Sequence, residues 1–205
     1  MKRTRSINLQ RMRKIGPGRG LKPLALAVVA ATMVGCSGGR EAQIYRDVAQ
    51  CVADNPVFES ACEGAYYRAL EQSARTSPKY RREYSCEAEF GVDNCVPYQS
   101  PEGDDWYMPA MGGFLFGTEF DDDDDYLVAP LYTSYSRRSP LYRKWAGADG
   151  RLYGSHRFGR TKVSKSAFAP KPTVKRTISR GGFGSMVASK ARSSSGGFSK
   201  GSFGG

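Results

Sequence analysis

The residue whose surroundings specify a chemistry most clearly is Cys36. Residues 1–22 carry eight Lys and Arg and no acid, and Leu24 to Val34 form an apolar and small-residue run interrupted only by Thr32. Met33-Val34-Gly35 then meets Cys36. A basic head, a short apolar stretch and a small residue before the cut make a bacterial secretory signal. A cysteine directly after that small residue is a lipobox arrangement, in which the thiol is acylated and becomes the mature N-terminus. The run is too short to cross a bilayer, which needs about 20 residues. The expectation is therefore a signal peptide over residues 1–35 and palmitate-type acylation at Cys36. The alternatives are a buried core helix or a signal cut without lipid. Ser37 stands where Asp would favour the inner membrane, so the localisation leans toward the outer membrane, on the periplasmic side.

Four further cysteines, Cys51, Cys62, Cys86 and Cys95, fall within 45 residues. An even number in an exported chain reads as two disulfides with three connectivities. The local pairing, Cys51 with Cys62 and Cys86 with Cys95, is preferred; the crossed pairings stay open. A four-cysteine zinc site is disfavoured, because no C-x-x-C pair and no nearby histidine is present. Asp121, Asp123 and Asp125 fit the start of a calcium loop. Tyr126 replaces its glycine and Tyr132 its final glutamate, so the template fails and a solvated acidic loop is expected. His156 is the only histidine, stands in a basic stretch, and is expected to face solvent. No nucleophile elbow, phosphate loop or H-E-x-x-H motif occurs, which points away from an enzyme, a cofactor or a metal.

Charge divides the chain. The whole sequence has 31 Lys and Arg against 20 Asp and Glu, and without the eight basic residues of the leader the excess is about +3. Residues 36–136 hold 19 acids and seven bases, whereas residues 137–205 hold 16 bases and only Asp149 as an acid. Such asymmetry signals an interaction tail or two mutually attracting halves. Arg180-Gly181-Gly182-Phe183-Gly184 interleaves base, glycine and aromatic in the manner of single-strand nucleic-acid binders. The export signal sets the chain in the wrong compartment for that partner. Anionic lipid or another anionic envelope polymer is the better match for these charges.

The elements that would position these residues are mostly helical. After a tether at 36–43, Ile44, Tyr45, Val48, Ala49 and Val52 recur at helical spacing. A second helix is expected from about Glu59 to Arg75, closed by Ser77-Pro78, and a third from about Lys79 to Phe90, with Gly91 at its cap. These make a disulfide-stapled module over 44–96. Residues 97–160 read as irregular, with an apolar Trp106–Gly117 patch that either folds back or meets a membrane interface, and with a hairpin around Asp149-Gly150 as one option. Residues 161–205 are so rich in Gly, Ser and bases that disorder is expected. The fold class is then small all-α with an irregular, partly disordered C-terminal half.

The lipobox, the paired cysteines and the R-G-G-F-G segment also resemble the YgiB-like family of uncharacterised proteobacterial envelope lipoproteins. The likeness is carried by the M-K-R-T-R-S-I opening, Cys51-Val-Ala-Asp-Asn-Pro, Cys62-Glu-Gly-Ala-Tyr and Ser77-Pro-Lys-Tyr. It continues through Cys86-Glu-Ala-Glu-Phe-Gly, Cys95, Trp106 to Gly112, Ala169-Pro-Lys-Pro and Arg180-Gly-Gly-Phe-Gly. The family has no established activity, so the resemblance implies no catalytic residue. Its members look like gene-order companions of ATP-dependent amide ligases similar to glutathionylspermidine synthase. That implies a second role, as partner or substrate of such a ligase, although ATP-using ligases belong to the cytoplasm.

Overall fold

The structure is a computed structural model that describes residues 39–117 and 127–195. The proposed leader, Cys36 and the aspartate run Asp121–Asp125 lie outside the described residues. Residues 39–45, expected as tether and start of a helix, form strand β1 (Gly39–Tyr45). Its inward positions alternate late in the strand, and Asp47 ends the extended stretch. The Asp47 side chain accepts from the Gln50 amide at 2.9 Å and starts helix α1 (Val48–Asp54). Helix α2 (Glu59–Thr76) then runs close to its expected span, and Ser77 leaves it in extended geometry before Pro78. Helix α3 (Glu83–Phe90) starts later than expected. Tyr80 is instead extended, exchanging two 2.8 Å backbone hydrogen bonds with Tyr107.

The all-α expectation is overturned by seven further strands. They are β2 (Cys95–Gln99), β3 (Asp105–Pro109), β4 (Gly113–Gly117), β5 (Val128–Leu131), β6 (Lys144–Ala146), β7 (Leu152–Ser155) and β8 (Gly159–Ser164). An antiparallel sheet of order β5-β4-β1-β8 is joined by two hairpins, β2-β3 and β6-β7. β1 is a central strand, pairing Tyr45 with Phe114 on one side and Gly39 with Ser164 on the other. The hairpin around Asp149-Gly150 is present, closed by Gly147 N–H on Arg151 O at 3.0 Å and its reciprocal turn bond from Gly150 to Gly147. The fold is α+β.

Both faces of the sheet are covered. Ala42, Ile44, Leu115, Leu131 and Val163 pack with Trp145 and Ala167 on one side. Tyr45, Phe114, Phe116 and Val128 meet Cys51, Cys62, Ala65 and Ala69 of the helices on the other. The helices therefore rest on the sheet and do not make a free-standing module. Two-sided burial also removes the polar–apolar alternation by which a strand is recognised. β4, Gly-Phe-Leu-Phe-Gly, is buried at all five positions, so that end of the apolar patch is core, while residues 107, 108 and 110–112 are half-buried.

The C-terminal half is ordered through residue 195. A 3-10 turn (Lys165–Ala167) leads into an extended strap, which returns to the helices through Val174 N–H on Arg75 O and Ile178 N–H on Lys79 O. Helix α4 (Gly182–Ser195) follows. Phe183 and Val187, one turn apart, are fully buried in a third cluster with Tyr80, Phe90, Tyr132 and Leu141. The expectation of disorder from composition fails here because the few apolar residues sit on one helical face.

Candidate functional site

The four structural cysteines are paired locally. Cys51 of α1 joins Cys62 of α2 with Cα atoms 5.7 Å apart, and Cys86 of α3 joins Cys95 at the start of β2 at 6.2 Å. Both separations are ordinary for disulfides. Cys51, Cys62 and Cys86 are fully buried, so the sulfurs are packing elements and not reactive thiols. The first bridge closes a loop whose tip carries Val57 and Phe58 in solvent.

Two buried polar networks escaped the sequence reading. In the first, the Lys79 ammonium donates to Ser77 Oγ at 2.6 Å and lies 4.3 Å from the centre of the Tyr98 ring. Burial pulls its pKa down to about 8. Tyr132 donates to Ser73 Oγ at 2.9 Å beside it, and burial pushes the phenol above its ordinary range. A serine beside a lysine of lowered pKa has the composition of a nucleophile and its base. Ser77 and Lys79 are nevertheless wholly inaccessible, with the strap bonded to the Lys79 carbonyl, so no substrate reaches the hydroxyl.

The second network centres on Glu89. Its carboxylate accepts from the Tyr80 hydroxyl at 2.6 Å and from the backbone N–H of Gly184. An anion is thereby set at the N-terminal end of α4, where the helix dipole and free amides favour it. The R-G-G-F-G segment is shaped for this contact. Gly181 has φ +78°, and a Cβ on Gly184 would stand 2.8 Å from Glu89 Oε1. Phe183 stacks on Phe90 with ring centres 5.5 Å apart. The motif is a docking device for α4, with its aromatic ring committed to the core and closed to stacking on a base.

His156, expected in solvent, is half-buried. Its ring lies edge-on to Trp145 at 4.3 Å and to Phe158 at 5.7 Å, while Trp145 donates its indole N–H to Arg157 O. Burial lowers its pKa, and Arg143 and Arg46 push the same way, so it stays neutral near pH 7. It serves as an aromatic packing partner.

A cleft of about 710 Å³ opens between the β8 edge, β7 and α4. Arg151, Lys162 and Lys190 line it with Tyr153, Ser164 and Ser193, and no carboxylate does so among the described residues. Arg151 donates to Ser164 Oγ at 3.3 Å, which holds its guanidinium along the wall. Asp149, the one acid of the basic half, stands behind the cleft and pairs with Lys171 at 3.6 Å and Lys190 at 3.9 Å. Lys162 pairs with Glu41 at 3.4 Å, both well exposed. Burial, with Asp149 adding, pushes the Tyr153 phenol up, so the hydroxyl stays protonated. The arrangement offers cationic and hydroxyl groups to an anion and lacks a general base or a nucleophile with a partner.

Among the described residues no group of three or more His, Cys, Asp or Glu is placed to hold a metal, and no helix is long and apolar enough to cross a membrane. Sequence reasoning found the cysteines but not the cleft, whose three cations are separated by up to 39 positions and converge only through α4. No solved structure matches this chain. A family model described as a protein of unknown function, DUF1190, matches residues 39–195, the whole span from β1 to the end of α4. The chain belongs to this uncharacterised family, the YgiB family of the resemblance above.

Proposed function

We propose that this chain is a lipid-anchored envelope protein whose α+β domain serves a non-enzymatic interaction role. The observation that carries the reading is the pair of core disulfides in a domain that starts only three residues after the lipobox cysteine. Disulfides persist in oxidising compartments outside the cytoplasm, which is where a lipobox would deliver the domain. The short connection bears on function. Three residues extend at most about 11 Å, so an acylated Cys36 would hold the domain against the bilayer surface without a reaching tether. An interaction role is supported by the cleft chemistry, cations and hydroxyls with no activated nucleophile.

The test is the intact mass of the protein extracted from membranes, with and without reduction and alkylation. The expected mass is that of residues 36–205 plus acyl chains, with four alkylatable thiols appearing only after reduction. An uncleaved chain, or one with free thiols before reduction, overturns the reading.

A further inference from the structure

The geometry points to the Arg151–Lys162–Lys190 cleft as a binding site for the phosphoryl headgroup of an anionic membrane lipid, next to the point where the chain leaves its anchor. The inference rests on the anchored reading above and names the ligand class of that interaction.

Three observations carry it. The first is charge: three cations, from the β6–β7 turn, β8 and α4, face one cleft of about 710 Å³, and the wall between them is polar through Ser164 and Ser193. Phosphate oxygens take several N–H and O–H donors at once, which an array drawn from three elements supplies. The acids nearby do not neutralise this face. Glu41 meets Lys162 in a solvent-exposed pair, which is weak and exchangeable. Asp149 is shared between Lys171 and Lys190 and lies outside the lining.

The second observation is position. Ser164, in the cleft wall, is the direct cross-strand partner of Gly39, the first residue of β1. Paired Cα atoms lie about 5 Å apart. Gly39 is in turn only three residues along the chain from Cys36. A lipid on Cys36 would bring the domain to the membrane surface, where the potential of anionic lipid attracts Lys and Arg.

The third is the state of the β8 edge. Among the described residues β8 is the last strand of its sheet, and Arg160 and Lys162 project from it into solvent. Cations on an open edge discourage pairing with another strand. They leave the edge available to a small anion instead.

The experiment uses the full mature protein with its acyl chains, reconstituted on vesicles of phosphatidylcholine alone or with about a third phosphatidylglycerol. Hydrogen exchange is followed by mass spectrometry across residues 151–153, 162–164 and 190–194. Phosphatidylglycerol should slow exchange in these segments by about tenfold, given three cations near an anionic surface. The Arg151→Gln/Lys162→Gln/Lys190→Gln variant should lose the effect, while Lys162→Arg/Lys190→Arg keeps it. Thermal unfolding of both variants reports whether each is folded. Equal exchange on both vesicle types overturns the proposal. So does protection by inorganic phosphate on phosphatidylcholine vesicles, which would make the ligand a soluble anion. Protection already present on phosphatidylcholine and lost on replacing Asp121–Asp125 with Asn would assign the cleft to the chain's own acidic run, again overturning it. Failure of the protein to float with phosphatidylcholine vesicles sinks the anchor alone. Flotation with phosphatidylglycerol vesicles then still decides the cleft.

Discussion

The two ends of the domain are fastened in opposite ways. Near the N-terminus, disulfides close loops of 11 and nine positions, Cys51 to Cys62 and Cys86 to Cys95, and each bridge ties an element to its immediate successor. At the C-terminus, α4 returns to α3 across 95 positions and is held by one phenylalanine, one carboxylate and glycines that permit close approach. Local loops cost little entropy to close, so their covalent staples add permanence more than topology. The long-range contact defines the topology, and it is reversible. Staples thus protect the half that supports the sheet, whereas the half that builds the cationic cleft is held by packing and hydrogen bonds without a covalent link.

The comparison breaks most sharply at Phe183. Its ring is fully buried against Phe90, so Phe183→Ala should cost about 3–5 kcal/mol by lost transfer energy and a residual cavity. Urea denaturation should show that loss, and limited proteolysis should cut the strap between residues 168 and 181 first. Uniform loss of the whole domain, with no preferential cutting, would show that the two ends are one cooperative unit. Next in size is removal of a staple. Replacing Cys51 and Cys62 together by Ala should cost about 2–4 kcal/mol. Hydrogen exchange should rise in α1 and the 55–58 loop while α4 remains protected. Early loss of α4 in this variant contradicts the separation of the two ends.

The legibility of the fold follows the same division. α2 was readable because its apolar residues recur at helical spacing between Pro56 and Pro78, and the end of α3 because Cys86 and Phe90 stand one turn apart just before Gly91. The sheet was not, because β4 and β5 are buried on both faces and β1 shares its apolar residues Ile44 and Tyr45 with the helical spacing of α1. The Asp47 cap was the available signal for separating them. Nothing in the sequence neighbours of Lys79 and Glu89 announces that these charges are buried. The strap and Gly184 that cover them come from roughly 95 positions away. The cysteines were legible in kind and the preferred local pairing agrees with the two bridges, while closing the crossed alternatives needed the distances between α1, α2, α3 and β2.

Lys79 sharpens the comparison through pH, because the strap leading to α4 is bonded to its backbone carbonyl. Its folded pKa of about 8 lies below the ordinary 10.5, so between those values the unfolded chain holds more protons. Stability should therefore rise with pH through that window, by up to about 3 kcal/mol, and the cost of the buried charge is fully present below pH 8. Tyr80 and Tyr132 act in the reverse sense above pH 10, since burial keeps their phenols protonated when the unfolded ones ionise. A stability maximum near pH 10 follows, measured by urea unfolding at a series of pH values. Lys79→Met should flatten the rising limb and leave the falling one. An unchanged rising limb in that variant would falsify the assignment to Lys79.

The smallest effect isolates what the carboxylate contributes at α4. Glu89→Gln keeps both contacts: the amide oxygen accepts from Gly184 N–H, and the amide NH2 donates to the Tyr80 hydroxyl, which reverses to accept. Only the negative charge at the helix N-terminus is lost, so the cost should be about 1 kcal/mol, the scale of a charge–dipole contact in a partly buried setting. Glu89→Ala removes the acceptors as well and leaves a buried phenol and an N–H unpaired, which should cost about 1–3 kcal/mol more. The difference between the two variants, read by hydrogen exchange at residues 184–187, separates charge from hydrogen bonding. If Gln costs as much as Ala, electrostatics alone docks α4, and low salt should then tighten the C-terminal end while leaving the disulfide-closed end unchanged.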